Sequence, residues 1–338
     1  MLTFASSPER FVVEEIPAYA PSGEGSHTFA WIEKRGLSTF DAIARLAGAF
    51  GLLARDVGHA GMKDRHALTR QWLSLPGTVT PEQVATYATP ELSVLSAARH
   101  PHKLRIGHLR GNRFEVVLTG TASDDEVAAL KARFAAAVAT GVPNRYGEQR
   151  FGAGRDNAAV GLALLRGERR ERDRRRRGLM LSALQSAVFN RALELRAADG
   201  PLDRVRPGDV LQKSATGGLF VSTDPAVDQP RVDAGELNTT GPLPGGREIE
   251  PPPNTPARAL EDQAIADVGA TRDDFARAGR DLPGARRPLL LKLTVADDPV
   301  TEDPGSCAAS RAVRLRFALP AGGYATVVVA ALTSEEPR

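Results

Sequence analysis

The residues best suited to chemistry lie in one segment, residues 59–75. Gly61 allows a sharp turn after a short apolar run, and Lys63, Asp64 and Arg65 then follow closely. A carboxylate between two cations is expected to have a lowered pKa, because its ionised form is favoured. An Asp held as an anion can act as a nucleophile or an electrostatic stabiliser and is poorly suited to be a general acid. The alternative is that Asp64 only caps a turn, since short motifs often arise by chance.

Positive charge is concentrated in a second segment. The net charge is only +3, although the estimated pI is about 9.2. Arg fills most positions between residues 166 and 177, where it is interrupted by Gly167, Glu168, Glu171 and Asp173. Such a block either lies on a solvated face or neutralises the phosphates of a nucleic acid. The residues alone leave both interpretations open.

Several other classes of protein are disfavoured by composition. His100, His102 and His108 have no Cys or carboxylate at ligand spacing, so we expect no metal site. No segment approaches the ~20 apolar residues of a membrane span, and no signal peptide is expected at the N-terminus. The single Cys307 excludes an internal disulfide and fits a reducing compartment such as the cytoplasm.

Alternating helical and strand patterns predict an α+β fold, and 338 residues are enough for two domains. Ser38 with Asp41, and Ser123 with Glu126, have the spacing of helix capping boxes. Residues 143–152 and 241–256 are predicted to be loops. Strands are predicted at residues 11–16, 28–34, 71–75, 111–118, 208–211, 218–221, 289–295 and 313–319, and helices at residues 38–50, from residue 81, and at residues 123–141, 179–195 and 257–278.

The segment around Asp64 also carries a family resemblance. The run Gly61-Met62-Lys63-Asp64-Arg65-His66-Ala67, with Thr69 and Gln71 after it, closely resembles the catalytic motif of the TruD family of tRNA pseudouridine synthases. Other segments match the family in the same order, so the resemblance covers essentially the whole chain. They are residues 8–15, 99–114, 143–152, 181–190 and 319–326.

The resemblance implies that the protein isomerises uridine to pseudouridine in tRNA, at uridine 13 of the D-arm, after the base has been flipped out of its stack. Asp64 corresponds to the nucleophile of the family, which uses no cofactor and no metal. Whether Asp64 attacks the ribose or removes a ribose proton stays open. tRNA is the one partner implied, with no membrane and no obligate protein partner. The alternatives are a non-catalytic RNA-binding protein and a metal-dependent nuclease, which needs a carboxylate cluster.

Further site residues are assigned through the same resemblance. The substrate-contacting positions of the family correspond to Phe11, Asn112 and Tyr324. An aromatic ring can replace the stacking that a flipped base loses, and an amide can bind a uracil edge or the ribose. Packing in the core is a rival role for Phe11. Four residues are expected to support the site or contact RNA: Lys63, Arg65, Phe114 and Arg150.

The implied architecture has two domains. A pseudouridine synthase-type catalytic domain with a mixed or antiparallel sheet is expected over residues 1–142 and 291–338. A TruD-specific α+β domain is inserted at residues 143–290, and RNA is expected to bind between the two. This chain departs from the family pattern at three places: it has Ala5 or Ser6 where relatives often have a basic residue, Gln185 where some have Arg, and Tyr324 where Phe is usual.

Overall fold

The computed structural model describes residues 2–152, 154, 156–279, 282–303, 306, 307 and 309–333. The chain divides into two compact units. The first comprises Met1–Thr140 and Lys292–Ala325, and the second comprises Gly141–Leu291 and Thr326–Arg338. The division into a catalytic domain and an inserted TruD-specific domain at residues 143–290 stays a prediction. Most of the C-terminal helix groups with the second unit.

The elements are numbered along the chain. The strands are β1 Leu2–Phe4, β2 Phe11–Pro17, β3 His27–Arg35, β4 Gly58–His59, β5 Leu68–Pro76, β6 Leu92–His100, β7 Leu109–Gly120, β8 Val142–Pro143, β9 Val210–Lys213, β10 Leu219–Val221, β11 Leu237–Leu243, β12 Ala285–Pro288, β13 Leu290–Leu291, β14 Val300–Glu302 and β15 Arg311–Pro320. The helices are α1 Thr39–Ala49, α2 Pro81–Ala85, α3 Asp124–Thr140, α4 Asn157–Leu165, α5 Arg174–Ala198, α6 Pro225–Asp233, α7 Pro256–Asp267, α8 Arg272–Ala278 and α9 Ala325–Thr333, with short 3-10 turns at Ala54–Asp56 and Glu148–Phe151.

The first unit is built on one mixed sheet. Its order is β14-β15-β7-β2-β5-β3-β6, with β1 paired to β7 and β4 paired to β5. The pairs in this sheet are antiparallel except β2 with β5, which is parallel. Residues alternate between buried and partly exposed along β2, as expected for a strand with one covered face. The predicted α+β class is confirmed.

Helices cover one face of this sheet at two separate places. Ile43 of α1 packs with Ile32 of β3 and Leu73 of β5 in one hydrophobic cluster. Phe134 of α3 packs against Phe317 of β15, with ring centroids 6.2 Å apart. Strand register across β15, β7, β2, β5 and β3 places these strand residues on the same face. Strand β2 and the first residues of β5 therefore lie between the areas that α1 and α3 cover.

The opposite face carries aromatic and histidine side chains. Phe29 packs in a cluster with Leu104, and His100 stacks on Tyr19 with centroids 5.0 Å apart. The Tyr19 hydroxyl and His108 Nδ1 share a hydrogen bond of 2.6 Å. Two of the three histidines considered as metal ligands thus take part in packing.

The second unit has its own core. An antiparallel sheet of order β10-β9-β11-β12 and the short pair β8–β13 accompany the long helix α5. Leu184 and Val188 of α5 pack with Ala264 and Ile265 of α7. Asp173 caps α5, since its carboxylate accepts hydrogen bonds from the first turn of the helix.

Several elements differ from the predictions. The elements that were not predicted include strands β1, β6, β11, β12 and β14 and helices α4, α6 and α9. The predicted strand at residues 289–295 is reduced to Leu290–Leu291. The helical pattern of residues 257–278 forms two helices, because Gly269 has φ +79° and Thr271 starts a new cap. Strand β11 continues through Gly241 into the predicted loop. A Cβ at Gly241 would lie 3.0 Å from the Phe189 ring, so glycine permits this close approach.

Candidate active site

The loop that carries Asp64 joins β4 to β5. Residues 68–70 of β5 pair with β2, and residues 73–74 pair with β4 on the same side of the strand. Strands β2 and β4 therefore pair with the same edge of β5, one after the other. The loop leaves β4 near the place where the pairing of β2 with β5 ends, and it returns to the sheet at the start of β5. Gly61 lies at the start of this loop, as the sequence predicts.

Side chains from distant segments fix the backbone of this loop. Lys34 Nζ donates a hydrogen bond of 2.9 Å to the backbone carbonyl of Asp64. Ser6 Oγ donates a hydrogen bond of 2.8 Å to the carbonyl of His66. Ser6, at one of the two positions where the family resemblance predicts a basic residue, thus holds the loop through a neutral contact.

Helix α1 provides a second set of anchors. The Thr39 hydroxyl accepts a hydrogen bond of 2.9 Å from the amide of Lys63 and donates one of 3.0 Å to Gln71 Oε1. Gln71 Nε2 in turn donates to the carbonyl of Gly61, at 3.2 Å. The Ser38 capping box predicted from the sequence is present at the start of α1. The loop is therefore hydrogen-bonded to α1 at Lys63 and to β5 at Gly61.

Lys63 forms a buried ion pair with Glu15 of β2. Its Nζ lies 2.8 Å from Glu15 Oε2, and the two side chains are 2% and 0% exposed. The other carboxylate oxygen of Glu15 accepts a hydrogen bond of 3.3 Å from the Trp72 amide. The charge of Lys63 is therefore paired with Glu15, and a supporting role of Lys63 in the site stays a prediction.

The pKa of Asp64 is raised, which contradicts the lowering predicted from the sequence. Part of Asp64 is exposed, but surrounding protein atoms exclude enough water that desolvation raises the pKa. The opposing effects are smaller and come from Lys34, a backbone hydrogen bond, Lys63 and His66.

The prediction failed because adjacent residues in a loop do not point the same way. Lys63 is directed at Glu15. Arg65 is exposed, and its charge acts on Asp41 at the start of α1. No ion pair engages the carboxylate of Asp64 within the described part of the chain.

Asn112 lies on the same face of the sheet as Glu15. The two residues are register partners in β7 and β2. Asn112 Oδ1 is buried and has no hydrogen-bond partner among the described residues, and the same is true of Thr69 Oγ1 in β5. Buried polar atoms are usually satisfied, so a ligand or water is expected to bind them. We refer to the side chains gathered on this face as the inner polar cluster: Glu15, Lys34, Thr69, Gln71 and Asn112.

Phe11 and Phe114 lie in the core beside this cluster. Both are 4% exposed. Phe11 contacts Phe4 edge to face at 5.3 Å and is parallel to Phe114 at 6.2 Å. The structure thus shows the packing role that the sequence offered as an alternative for Phe11. Contact of either ring with a substrate base stays a prediction.

Tyr324 follows the turn after β15. Leu319 and Pro320 pair with Asn112 and Gly111 of β7, so this turn starts at the edge of the sheet where Asn112 lies. A Cβ at Gly111 would lie 2.1 Å from the Leu319 carbonyl, which makes glycine necessary for the close pairing. Tyr324 is 56% exposed. Its ring is accessible for stacking, which stays a prediction.

Arg150 belongs to the second unit, where it contacts α5. Its guanidinium donates hydrogen bonds to Ser182 and, at 3.2 Å, to Ser186. It also lies 5.5 Å from the centroid of the Tyr146 ring. These contacts attach the loop of residues 143–152 to α5, and contact between Arg150 and RNA stays a prediction.

The sequence analysis missed most of the supporting residues. Lys34 and Glu15 each continue the buried face of an apolar strand, after Ala30 and Ile32 in β3 and after Val13 in β2. A charged residue on such a face requires a partner, and that signal could have identified both. Thr39 could not be found in this way, because it is only a helix residue in the sequence.

Neither a metal-ligand cluster nor a membrane-spanning helix occurs among the described residues. They contain no group of three or more His, Cys, Asp or Glu side chains placed to hold a metal ion. They also contain no helix that combines the length and the apolar character needed to cross a bilayer.

Known proteins resemble this chain along nearly its whole length. The family model described as tRNA pseudouridine synthase D (TruD) matches residues 3–172 and 171–332. A tRNA pseudouridine synthase D of Anaeromyxobacter dehalogenans (strain 2CP-C) is 43% identical over 342 residues, covering 98% of this chain and 92% of the relative. One from Thermus thermophilus is 39% identical, covering 94% and 85%. A crystal structure of a TruD protein from Methanosarcina mazei superposes with a TM-score of 0.78 at 22% identity, covering 99% of this chain and 94% of that one.

Proposed function

Because the chain belongs to the TruD family of tRNA pseudouridine synthases, we propose that it converts uridine 13 of the tRNA D-arm into pseudouridine, with Asp64 as the nucleophile. The reaction is an isomerisation. The bond from uracil N1 to ribose C1′ breaks, a bond from C5 to C1′ forms, C5 loses its proton and N1 gains one. Atoms balance without an oxidant, a reductant or a second substrate.

One observation supports the role of Asp64 above the others. Its backbone is held by Lys34, while the residue is partly exposed and makes no ion pair with any residue that the structure describes. A carboxylate in this setting can reach a substrate without first breaking a salt bridge. Desolvation raises the pKa of Asp64, which makes its anion a stronger base and nucleophile than an exposed carboxylate.

Other residues provide groups that a flipped uridine needs. Asn112 Oδ1 lies buried without a partner among the described residues, and the amide offers donors and an acceptor to a uracil edge or to the ribose. Tyr324 presents an exposed ring, and base–aromatic stacking contributes roughly 1–3 kcal/mol. For Phe11 the proposal uses only its packing beside the inner polar cluster.

Tritium release tests the activity and the position together. Transcripts of tRNA labelled with tritium at uridine C5 are incubated with the protein, and label in the solvent is counted while strand integrity is checked on a gel. We expect release from a transcript with uridine at position 13 as the only labelled uridine, and an intact strand. A matched transcript with cytidine at position 13, labelled at its remaining uridines, should release none.

The two parts of the proposal fail differently. Release from the cytidine-13 transcript would contradict the assigned position while retaining the activity. No release from any transcript that the protein binds would favour the non-catalytic RNA-binding alternative.

A further inference from the structure

Lys34 is a buried cation whose charge has no assigned role in the proposed reaction. It is 0% exposed. Its Nζ donates hydrogen bonds to two backbone carbonyls, at 2.6 Å to Leu37 and at 2.9 Å to Asp64. Both acceptors are neutral, and no ion pair engages Lys34 in the described part of the chain. Burying an ammonium group without a paired anion is costly, so a lysine at this position calls for a role that needs its charge.

We propose that Lys34 is a positioning residue for Asp64: it fixes the backbone of the nucleophile and supplies the positive charge that keeps its carboxylate ionised. This inference rests on the proposed role of Asp64. Lys34 lies outside the Gly61–Ala67 motif. The inference gives it the function that the sequence alone suggests for Lys63 and Arg65, which is to favour the ionised form of Asp64.

The first argument is geometric. Leu37 lies in the connection from β3 to α1, and Asp64 lies in the loop before β5. One ammonium group therefore links the connection before α1 to the loop that carries Asp64. Thr39, two residues beyond Leu37, holds the amide of Lys63. The connection to α1 and the loop are thus joined on both sides of the Lys63–Asp64 peptide bond.

The second argument is electrostatic. Among the charges that favour ionised Asp64, that of Lys34 has the largest effect, ahead of Lys63 and His66. Lys63 is already paired with Glu15. The groups that act on Lys34 are Asp64 and Asp41, which favour its charged form, and Lys63, which opposes it. Burial lowers the pKa of Lys34 to about 8, so the cation is present at neutral pH and is lost as the pH rises above that value.

A purely structural role would have a different signature. If Lys34 only filled space and satisfied two carbonyls, its replacement would lower stability and activity together. The pH at which activity appears would stay where it is, because the ionisation of Asp64 would be unchanged. The pH profile of the chemical step therefore separates the two roles.

The test compares Lys34→Met with Lys131→Met, a control that removes a partly exposed lysine paired with Glu302. Single-turnover tritium release is measured from pH 5 to pH 9.5 with tRNA affinity and thermal unfolding recorded in parallel. For Lys34→Met we expect a rate at pH 7 that falls about 100-fold or more, the scale of effect that misplacement of a reacting group produces. The tRNA Kd should change less than about threefold.

The decisive result is the acidic limb of the profile. It should move to higher pH in Lys34→Met, because Asp64 ionises less readily without the neighbouring cation, and it should not move in Lys131→Met. A folded Lys34→Met protein whose acidic limb coincides with that of the wild type would overturn the inference. If the wild type itself releases no tritium, the proposed function fails instead.

A second variant covers the case in which Lys34→Met does not fold. Lys34→Gln removes the charge but keeps an amide that can donate a hydrogen bond to a backbone carbonyl, so its acidic limb should also move to higher pH. A folded Lys34→Gln protein with the acidic limb of the wild type would overturn the inference.

Discussion

At the scale of single residues, the chemistry depends on where side chains point rather than on their order in the chain. The choice of Asp64 as the candidate nucleophile follows from the motif. The electrostatic surroundings of Asp64 do not, since Lys63 is paired with Glu15 and the cation with the largest effect on Asp64 comes from β3. The pairing of Lys34 with the loop joins residues 30 positions apart, which a sequence pattern does not encode.

Removing only one partner of the Lys63–Glu15 ion pair should cost more stability than removing both. Lys63→Met leaves a carboxylate buried without its counterion, and breaking a buried pair in this way costs about 3–5 kcal/mol. We expect a loss of that size in the free energy of unfolding, measured by urea denaturation at pH 7.

The double variant Lys63→Met/Glu15→Gln provides the matched comparison. It removes both charges and keeps an amide oxygen that can accept the hydrogen bond from the Trp72 amide. Most of the lost stability should return. Equal losses in the single and the double variant would show that the ion pair is not what Lys63 contributes.

At the scale of elements, the sequence predicts those with strong local signals. The capping box of α1 and the apolar stripe of α3 place these helices close to their observed bounds. Strand β6 was missed because its second half, Ser96–His100, consists of small and polar residues, none of which is buried. Residues 174–177 were considered part of a basic block and are in fact the first turn of α5.

The basic first turn of α5 is electrostatically unfavourable for the helix. Arg174 and Arg175 are exposed there, at the end where the helix macrodipole is positive. Asp173 offsets part of this by capping the helix. If the basic block neutralises the phosphates of a nucleic acid, one of its two interpretations, these arginines contribute to binding and not to the stability of the helix.

Neutralising these two arginines should therefore raise stability and weaken binding. For Arg174→Gln/Arg175→Gln we expect a higher unfolding temperature, since each cation at a helix N-terminus costs roughly 0.3–1 kcal/mol at low salt. The tRNA affinity should fall, and the slope of log K against log salt should become shallower by up to about 2, because each phosphate contact contributes about 0.9.

The control Arg204→Gln/Arg247→Gln makes the same change in net charge at two other exposed arginines of the second unit. It should leave the salt slope closer to that of the wild type. Equal slopes for the two double variants would assign the effect to net charge and remove the basic turn as a specific contact surface.

At the scale of the whole molecule, the motifs predicted membership of the TruD family, and the comparisons confirm it. The two-unit division was predicted through that resemblance and not through composition. The placement of most of the last helix with the second unit could not be read from residues 326–333, which are simply apolar. Such a stretch fits any core, and only tertiary packing decides which one it joins.

The inner polar cluster also becomes visible only at this scale. Its members come from β2, β3, β5 and β7, and only strand register brings them onto one face. The motif around Asp64 is thus one part of a site that the sheet assembles.

The most direct test of the account is single-turnover tritium release by Asp64→Asn, a nearly isosteric change that removes the negative charge. Asp125→Asn, at an exposed position of α3, serves as the control. We expect Asp64→Asn to fold, to bind tRNA within about threefold of the wild-type Kd and to release no detectable tritium, while the control retains wild-type release. Release by Asp64→Asn at more than about a tenth of the wild-type rate, an effect of only about 1.4 kcal/mol, would contradict the assignment of the nucleophile.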